Sequence, residues 1–356
     1  MQKVHYFSIQ VYQNSHAWPL YREIGGEFLV PSLKRWWQFK RYMRNGNLFP
    51  ERKTFMNTPP VSILNIKKPI KVNGVVLSLS TATLEQADKN SITVFIGHGT
   101  GDKRYPGNEV KKQFDLFNYV FVSGPKHLEK LKDTGIELPE SKLIKTGNLR
   151  FDDYVNNQID ADRVIKNLGI VDAGRKNILY APTWRWGNGT LLKYAIPFSK
   201  SLGDDYNLII RPHAHDRMHI AKLQAEIKNL GLQHIYFSRP SDLLNHDVLD
   251  DFYISDLLIS DTSSIVYEYL ITQKPLVVID NGFRDGHDMP AKYDINAIVK
   301  HYDESKDIKG LVADTLEHHD PMKHGYHDML NHCFYFNDGK NVARAVEFLK
   351  KANSST

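Results

Sequence analysis

Hydroxyl side chains, glycines and basic residues of this 356-residue chain combine in patterns that can hold phosphate and move a proton. One pattern is the run Thr262-Ser263-Ser264, which follows an apolar stretch and Asp261, after which apolar residues resume with helical spacing. The free N–H groups and the dipole of a helix N-terminus favour an anion. The run therefore predicts a phosphate site, and the alternative is that Asp261 or Thr262 only caps the helix.

A second pattern is a histidine between glycines, in the segment 97–104. Glycine permits close approach of the backbone to a ligand, and an imidazole can accept a proton near neutral pH. His98 is therefore a candidate general base, and Gly99, Lys103 and Arg104 are candidates for binding an acceptor or its phosphate. An ordinary turn that carries an exposed histidine would explain the same residues.

Arginine follows two further predicted strands. Arg185 and Arg211 can each form forked hydrogen bonds with phosphate oxygens. Trp184 or Trp186 can stack on a nucleotide base or pack into the core.

Two candidate metal patterns are weak. His213 and His215 point the same way in an extended segment, but phosphate binding by His213 beside Arg211 is the simpler interpretation. Asp160 and Asp162 fall in a predicted linker and are interpreted as solvated charges. No metal ligand or cofactor is predicted, and the metal requirement stays open.

Runs rich in β-branched and aromatic residues alternate with stretches of helical spacing, which is typical of α/β proteins with parallel sheets. We predict helices from Pro125 and over Asn341–Lys351, and a bridge between two units within Asp152–Arg175. The predicted strands lie near Val75–Leu79, Thr93–Ile96, Tyr119–Ser123, Asn177–Ala181, Leu208–Arg211, Ile235–Phe237, Leu257–Ile259 and Leu276–Ile279. The candidate residues follow these strands, at the edge where open α/β sheets bind ligands.

The composition, with 41% hydrophobic and 24% charged residues, is that of an ordinary globular enzyme. The net charge of +5 suits anionic partners, yet no basic stripe or motif predicts nucleic acid. The chain shows neither a long apolar run nor a signal peptide, so we expect a cytoplasmic protein. The single cysteine, Cys333, excludes an internal disulfide and is expected to be buried.

The segment Leu33–Arg44 contains five basic residues, four aromatic residues and no acidic residue. At helical spacing Trp36, Phe39 and Met43 share one side, with Leu33 close by. Such a segment can lie on an anionic membrane surface, on the inner face of the cell membrane. The alternative is an ordinary helix that buries its aromatic residues in the core.

Five segments, taken in order, resemble the CDP-glycerol glycerophosphotransferase family, which includes the teichoic acid primases and polymerases of bacterial envelopes. The resemblance covers about residues 90 to 350, and the first ninety residues match only in general character. The five segments are His98-Gly99, Tyr180-Ala181-Pro182-Thr183-Trp184-Arg185, Arg211-Pro212-His213, the segment 255–264 and Asn337-Asp338-Gly339-Lys340.

The resemblance implies a GT-B fold, in which two Rossmann-like domains face a cleft and a C-terminal helix crosses back. We expect an acceptor-binding domain at residues 1–165, a nucleotide-donor domain at 166–335, and a closing helix within 336–356 that packs on the first domain. The implied donor is a CDP-activated polyol, and the implied acceptor is lipid-linked or a glycan.

The implied reaction is attack by an acceptor hydroxyl on the polyol-bearing phosphorus, with release of CMP. His98 would take the proton, while Arg211, His213, Ser263 and Ser264 would balance the pyrophosphate charge. The remaining implied donor contacts are Thr183, Arg185, Asp261, Thr262 and Glu268. Glu268 lies one helical turn beyond Ser264 and would either bind a ribose hydroxyl or remain in water.

The chain departs from the family at three places. Thr262 stands where a tyrosine is frequent, Gly97 where a tryptophan is common, and residues 101–104 replace a segment with proline and two lysines. These departures concern the acceptor and the donor polyol. The chain length favours a single addition, as by a primase or in capsule linkage, over processive polymerisation. Alternative functions are a GT-B nucleotide-sugar transferase, a nucleotide-sugar epimerase, and a non-catalytic binding protein.

Overall fold

The computed structural model describes residues 2–44, 58–64, 70–81, 84–86, 90–105, 107–239, 246–283, 286, 293–321 and 325–354. The chain divides into two compact units. Unit 1 comprises residues 1–100, 104–158 and 331–356, and unit 2 comprises residues 101–103 and 159–330. The sequence analysis predicts boundaries between the domains after residues 165 and 335 instead.

The described elements of unit 1 up to residue 158 are strands and helices, which alternate except for a run of five strands in the middle. They are β1 Val4–Phe7, α1 Trp18–Ile24, β2 Glu27–Val30, α2 Leu33–Arg44, β3 Val61–Ile63, β4 Ile70–Val72, β5 Val75–Ser78, β6 Leu84–Gln86, β7 Ile92–Phe95, α3 Gly107–Asp115, β8 Tyr119–Val122, α4 Pro125–Asp133, β9 Leu143–Lys145 and α5 Phe151–Val155.

The described elements of unit 2 alternate between helices and strands until two strands follow one another near its end. They are α6 Ala161–Leu168, β10 Asn177–Tyr180, α7 Leu191–Leu202, β11 Asn207–Ile210, α8 Ile220–Asn229, β12 Ile235–Phe237, α9 Val248–Ile254, β13 Leu257–Ser260, α10 Ile265–Glu268, β14 Leu276–Ile279, β15 Lys300–Tyr302 and α11 Ile308–Glu317. The chain then continues through α12 Tyr326–Cys333 and α13 Asn341–Ser354.

Each unit is built on one large parallel sheet, and β4 pairs with β6 in a separate two-stranded sheet of unit 1. The large sheet of unit 1 has seven strands in the order β3-β2-β1-β5-β7-β8-β9, and that of unit 2 has six in the order β12-β11-β10-β13-β14-β15. In each large sheet the chain first adds strands on one side of the first strand and then adds the later strands on its other side. The switch points therefore lie between β1 and β5 and between β10 and β13. Loops diverge at such a point and open a crevice at the carboxyl ends of the strands.

The strands form where the sequence is continuously apolar, because helices cover both faces of a parallel sheet. Ile178, Leu179 and Tyr180 of β10 are all fully buried, and Tyr180 packs against Phe198 of α7 with ring centroids 5.1 Å apart. In unit 1, Phe95 of β7 contacts Phe114 of α3 in the same manner. Burial of such side chains contributes about 1.5–3 kcal/mol each.

All eight strands predicted from the sequence are present, with ends shifted by at most a residue or two. The helix from Pro125 and the closing helix are also confirmed, and Cys333 is buried. The predicted bridge instead contains α5 and α6, and Asp160 is the N-cap of α6 because its side chain accepts from the N–H of Arg163. Asp160 therefore caps a helix and is not only a solvated charge.

The closing helix α13 is held within unit 1 by one buried carboxylate. Asp152 of α5 accepts hydrogen bonds from the N–H groups of Asn341 and Val342 at 3.0 and 2.8 Å. These are two of the N–H groups that the first turn of a helix leaves unpaired. The contact fixes the start of α13 against α5, while the helix body packs on α1.

We expect Asp152→Ala to lower the free energy of unfolding by about 1–3 kcal/mol, because two buried N–H groups lose their acceptor. Urea titration followed by circular dichroism measures the change. Glu137→Ala is the matched control, since Glu137 is exposed in a loop of the same unit. Equal losses in the two variants would contradict this role of Asp152.

Candidate active site

His98 lies on the loop that follows β7, between two glycines in the left-handed region. Gly97 has φ +67° and Gly99 has φ +135°, values that side chains with a Cβ rarely adopt. The turn directs the imidazole back across the sheet edge, where its Nδ1 hydrogen-bonds the carbonyl oxygen of Leu79 after β5. His98 thus sits at the switch point of unit 1.

The hydrogen bond to Leu79 fixes the tautomer of His98. A carbonyl oxygen only accepts, so Nδ1 carries the proton and Nε2 carries the lone pair. Burial of the ring is the main cause that lowers the pKa of His98 below 6.5, and the positive charge of Lys130 acts in the same direction. The residue as a whole stays exposed, so solvent moderates this effect. At neutral pH His98 is an uncharged base with its lone pair on Nε2.

A pocket of about 150 Å³ in unit 1 adjoins His98. Its lining includes His16, Tyr105, His127, Lys130 and Gly99. Burial lowers the pKa of His16 well below its ordinary value and that of His127 to about 3, and the nearest cations add to both effects. The pocket therefore combines neutral imidazoles with the ammonium group of Lys130, a combination suited to hydroxyl and phosphate groups.

The sequence patterns do not single out most of this pocket. His16, His127 and Lys130 carry no motif, and they meet His98 only because the helical segments after β1 and β8 begin at the same sheet edge. Gln13 is a further residue without a sequence signal, and its Nε2 lies 3.1 Å from Nε2 of His98. The sequence feature that pointed toward this pocket was that Ser123 and Pro125 follow a predicted strand.

Two predicted phosphate ligands have other surroundings. The Nε of Arg104 donates to Asp133 at 2.8 Å in an exposed ion pair, and Arg104 is not among the residues that line the pocket. Lys103 belongs to unit 2 rather than to the acceptor domain. The binding of an acceptor or phosphate by Lys103 and Arg104 stays a prediction, and in this structure Arg104 pairs with Asp133.

In unit 2 the buried carboxylate of Asp261 joins the carboxyl ends of β10 and β13. It accepts from the N–H of Thr183 at 2.7 Å and from both the N–H and the hydroxyl of Thr190, at 3.0 and 2.9 Å. Burial raises the pKa of Asp261 to about 6, although these hydrogen bonds and Lys103 oppose the increase. Asp261 is thus a scaffold residue that joins the two loops, and its contact with the donor stays a prediction.

Lys103 lies against this scaffold. Nζ of Lys103 lies 5.6 Å from the ring centroid of Phe283. It is also so close to Gly187 that a Cβ placed on that glycine would lie 2.5 Å from Nζ. Burial lowers the pKa of Lys103, and the charge of Asp261 opposes that effect. A half-buried ammonium group at the switch point of unit 2 is a candidate phosphate ligand.

His213 is held as a hydrogen-bond donor. Its Nδ1 accepts from the N–H of His215 at 3.2 Å, so the ring proton is on Nε2. The imidazole stacks on Trp184, with an interplanar angle of 12°. Burial lowers the pKa of His213 to about 3, helped by His215 and Lys103. His213 can therefore donate to a phosphate oxygen, but it does not supply the positive charge that the sequence suggested.

Arg211 is engaged inside unit 2. Its Nη1 donates to Asp251 at 2.6 Å and to Ser238 at 2.7 Å, and its side chain is 7% exposed. Breaking such a buried pair costs about 3–5 kcal/mol. The contact of Arg211 with the donor phosphate stays a prediction, and in this structure Arg211 anchors the loop that presents His213.

The hydroxyl run precedes a short helix. α10 has four residues and continues as a 3-10 turn, so its dipole is smaller than the sequence suggested. Thr262 donates to the side chain of Asn281, and Ser264 is the N-cap without a side-chain capping bond. Ser263 and Ser264 are partly exposed and remain predicted phosphate ligands.

Two other predicted donor ligands differ in exposure. Arg185 is exposed, and its guanidinium lies 5.4 Å from the ring centroid of Trp186. Glu268 is 1% exposed, so the interpretation that it remains in water is wrong. Within the described residues, no group of three or more histidine, cysteine, aspartate or glutamate side chains is arranged to hold a metal.

The comparison with known families decides the class of the chain. The family described as CDP-glycerol:poly(glycerophosphate) glycerophosphotransferase matches residues 77–351. The chain belongs to this family. The match begins in β5 and ends in α13, so it includes His98, Lys103, Asp261 and His213.

Curated relatives share part of this length. The teichoic acid ribitol-phosphate polymerase TarK of Staphylococcus aureus is 28% identical over 225 residues, which cover 59% of this chain and 41% of TarK. The teichoic acid glycerol-phosphate primase of Bacillus spizizenii is 24% identical over 275 residues, which cover 68% of this chain and 66% of the primase. This chain therefore spans less than half of TarK.

Solved structures support the predicted fold. The wall teichoic acid polymerase TagF is 17% identical, with a TM-score of 0.66, and the match covers 99% of this chain and 89% of TagF. The UDP-GlcNAc 2-epimerase of Neisseria meningitidis is 16% identical, with a TM-score of 0.60, and the match covers 99% of this chain and all of the epimerase. Both units are Rossmann-like, as the GT-B prediction required.

We expect Asp261→Asn to destabilise unit 2 by about 1–3 kcal/mol, because an amide NH₂ would face an N–H group that now has an acceptor. Thermal denaturation followed by circular dichroism measures the loss. Asp204→Asn, at an exposed turn of the same unit, is the control. An Asp261→Asn protein as stable as the control would mean that this carboxylate does not hold the strand ends together.

Proposed function

We propose that the chain transfers a polyol phosphate, with glycerol phosphate as the favoured group, from a CDP-polyol to an acceptor hydroxyl. The new bond joins the acceptor oxygen to the polyol-bearing phosphorus, the bond from that phosphorus to CMP breaks, and the hydroxyl proton moves to Nε2 of His98. The observation that carries this proposal is His98 itself, a neutral base of fixed tautomer within the region that matches the family.

The two units have different parts in the proposed reaction. In unit 1 the pocket beside His98 receives the acceptor hydroxyl. In unit 2 Lys103, the Nε2–H of His213 and the hydroxyls of Ser263 and Ser264 bind the pyrophosphate of the donor. Fixed hydrogen-bond donors and one cation suit phosphoryl transfer, which depends mainly on positioning and electrostatic stabilisation.

The product is proposed to belong to an envelope polymer such as teichoic acid or a capsule, because the curated relatives are teichoic acid primases and polymerases. Their names include both glycerol and ribitol phosphate, so the polyol has to be tested directly. The epimerase of similar fold makes a nucleotide sugar the alternative substrate. The identity of the released nucleotide separates the two functions.

We expect the purified protein to release CMP from CDP-glycerol in the presence of a soluble acceptor analogue, and His98→Ala to lower kcat by about two to four orders of magnitude. Donor affinity should change little. Because the pKa of His98 lies below 6.5, its protonation should lower kcat/KM only as the pH falls below that value. Nucleotide chromatography with CDP-glycerol, CDP-ribitol and UDP-N-acetylglucosamine measures the released nucleotide, kcat and the pH profile, and calorimetry with CDP-glycerol measures donor affinity.

His318→Ala is the control for this experiment, because His318 is exposed on unit 2 and far in sequence from the proposed site. Near-normal CMP release by His98→Ala would remove His98 from the mechanism. Turnover of UDP-N-acetylglucosamine without CMP release from either CDP-polyol would favour the nucleotide-sugar alternative.

We further propose that α2 binds an anionic membrane surface, where a lipid-linked acceptor would reside. Phe39 and Met43 are buried, as predicted for the core-facing side, but Leu33 and Trp37 are 60% and 55% exposed. Lys34 and Arg41 are exposed and lie three residues before and four residues after Trp37, so they share its helix face. No described helix is long and apolar enough to cross a bilayer.

The double variant Lys34→Glu/Arg41→Glu should weaken binding to phosphatidylglycerol vesicles at least about tenfold, because each cation near an anionic surface contributes about 1 kcal/mol. Vesicle sedimentation at low salt measures binding, and CMP release with a soluble acceptor should stay unchanged. Lys222→Glu/Lys228→Glu on α8 makes the same charge change on unit 2. Equal losses in both variants, or no binding by the unmodified protein, would reject a role for α2.

A further inference from the structure

The segment Gly101–Lys103 of unit 2 lies along one face of α10. Gly101 packs against Ser264, because a Cβ placed on Gly101 would lie 3.4 Å from the Cβ of Ser264. One residue later, Asp102 accepts a hydrogen bond of 2.8 Å from the hydroxyl of Tyr267. Ser264 and Tyr267 are three residues apart at the start of a helix, so they share a face. The segment therefore follows α10 residue by residue.

A backbone contact holds the other side of the same segment. Lys103 pairs with Gly286 in an isolated antiparallel bridge. A Cβ placed on Gly286 would lie 3.4 Å from the Cβ of Asp102, so the two stretches of chain pack closely there. The segment is thus held between Gly286 and α10, and the side chain of Asp102 supplies the hydrogen bond to the helix.

These contacts decide where the ammonium group of Lys103 lies. Burial is the largest influence on the pKa of Asp261 and of His213, and the charge of Lys103 lowers both values. The ammonium group is therefore close to both side chains, beside Gly187. Lys103 itself is on the loop between β7 and α3, outside any helix or strand. Its position depends on the groups that hold this loop.

We propose that the hydrogen bond from Tyr267 to Asp102 positions Lys103 for the pyrophosphate of the donor, which makes Tyr267 and Asp102 positioning residues of the phosphate site. The proposal rests on the proposed function. Tyr267 is 2% exposed, so its hydroxyl is a fixed point against which the loop is held. Because Ser263 and Ser264 precede the same helix, the bond also keeps the cation in a constant arrangement with their hydroxyls.

The alternative is that this hydrogen bond stabilises the fold of unit 2 and nothing more. Tyr267→Phe separates the two roles, because the phenyl ring fills the same buried space and only the oxygen atom is lost. A purely structural bond would affect ligand binding in the same way whether or not Lys103 is present. A bond that acts through Lys103 would matter only while the ammonium group is there.

We expect Tyr267→Phe to raise the Kd of CDP-glycerol and of inorganic pyrophosphate about three- to tenfold, because the hydrogen bond that orients Lys103 is lost. Lys103→Ala should raise both values about tenfold or more, since it removes a charge-assisted contact. In the Lys103→Ala background, Tyr267→Phe should change both values by less than about twofold. Titration calorimetry of the full chain at one salt concentration measures all four proteins.

Tyr326→Phe is the matched control. Tyr326 is also 2% exposed, and its hydroxyl oxygen hydrogen-bonds the backbone of Leu276, at the amino end of β14. The phosphate site is at the carboxyl ends of the strands, so this variant should leave both Kd values unchanged.

Two substitutions of Asp102 test the other side of the bond. Asp102→Ala and Asp102→Asn both remove the carboxylate charge, but asparagine keeps an oxygen that accepts from Tyr267. Asp102→Ala should therefore bind both ligands about three- to tenfold more weakly than Asp102→Asn. Equal Kd values for these two proteins would overturn the proposal, as would additive effects of Tyr267→Phe and Lys103→Ala.

Failure of the proposed function gives a different result. Inorganic pyrophosphate contains neither cytidine nor a polyol, so the coupling between Tyr267 and Lys103 is measured even if the donor is a nucleotide sugar. Intact coupling without CMP release from either CDP-polyol would reject the proposed reaction and keep this inference. If the unmodified protein binds neither pyrophosphate nor CDP-glycerol, the phosphate site is absent and both proposals fail.

Discussion

The arrangement of unit 2 depends on a carboxylate that the fold withdraws from water. Asp261 leaves β13 and satisfies the N–H groups of Thr183 and Thr190, so it ties together the loops after two neighbouring strands. Burial of an unpaired carboxylate would be prohibitive, and the three donors make it tolerable. The same contacts define the turn around Gly187, where a side chain would collide with Lys103. The scaffold and the candidate phosphate ligand therefore form one structure.

Backbone groups set the chemistry of the two histidines. The carbonyl of Leu79 holds the proton of His98 on Nδ1, whereas the N–H of His215 leaves the proton of His213 on Nε2. The first ring thus offers a lone pair and the second offers a hydrogen. Burial keeps both neutral, so the tautomer, and not the charge, decides what each can do. Cations for phosphate must come from lysine or arginine.

Much of the fold was predictable, because strands buried on both faces are recognisable as continuous apolar runs. β1, Val4–Phe7, was not predicted, since it is short and contains His5. The omission matters, because Gln13 follows β1 and has no motif of its own. His98 was predicted from its flanking glycines, but its partners at Leu79 and Gln13 come from distant segments that meet only in the folded sheet.

The segment Arg211-Pro212-His213 illustrates a limit of sequence patterns near strand ends. Two basic residues two positions apart both look suited to phosphate, but alternate residues of an extended segment have the same general direction only while the chain stays extended. Here the guanidinium of Arg211 is buried against Asp251, forty residues later in the chain, and the turn after Pro212 places His213 on Trp184. The energetic cost of leaving Asp251 unpaired decides the position of Arg211. No local sequence pattern indicates this cost, because Asp251 is distant in the sequence. A lysine that does lie near His213 in unit 2 is Lys103, which is outside the segment altogether.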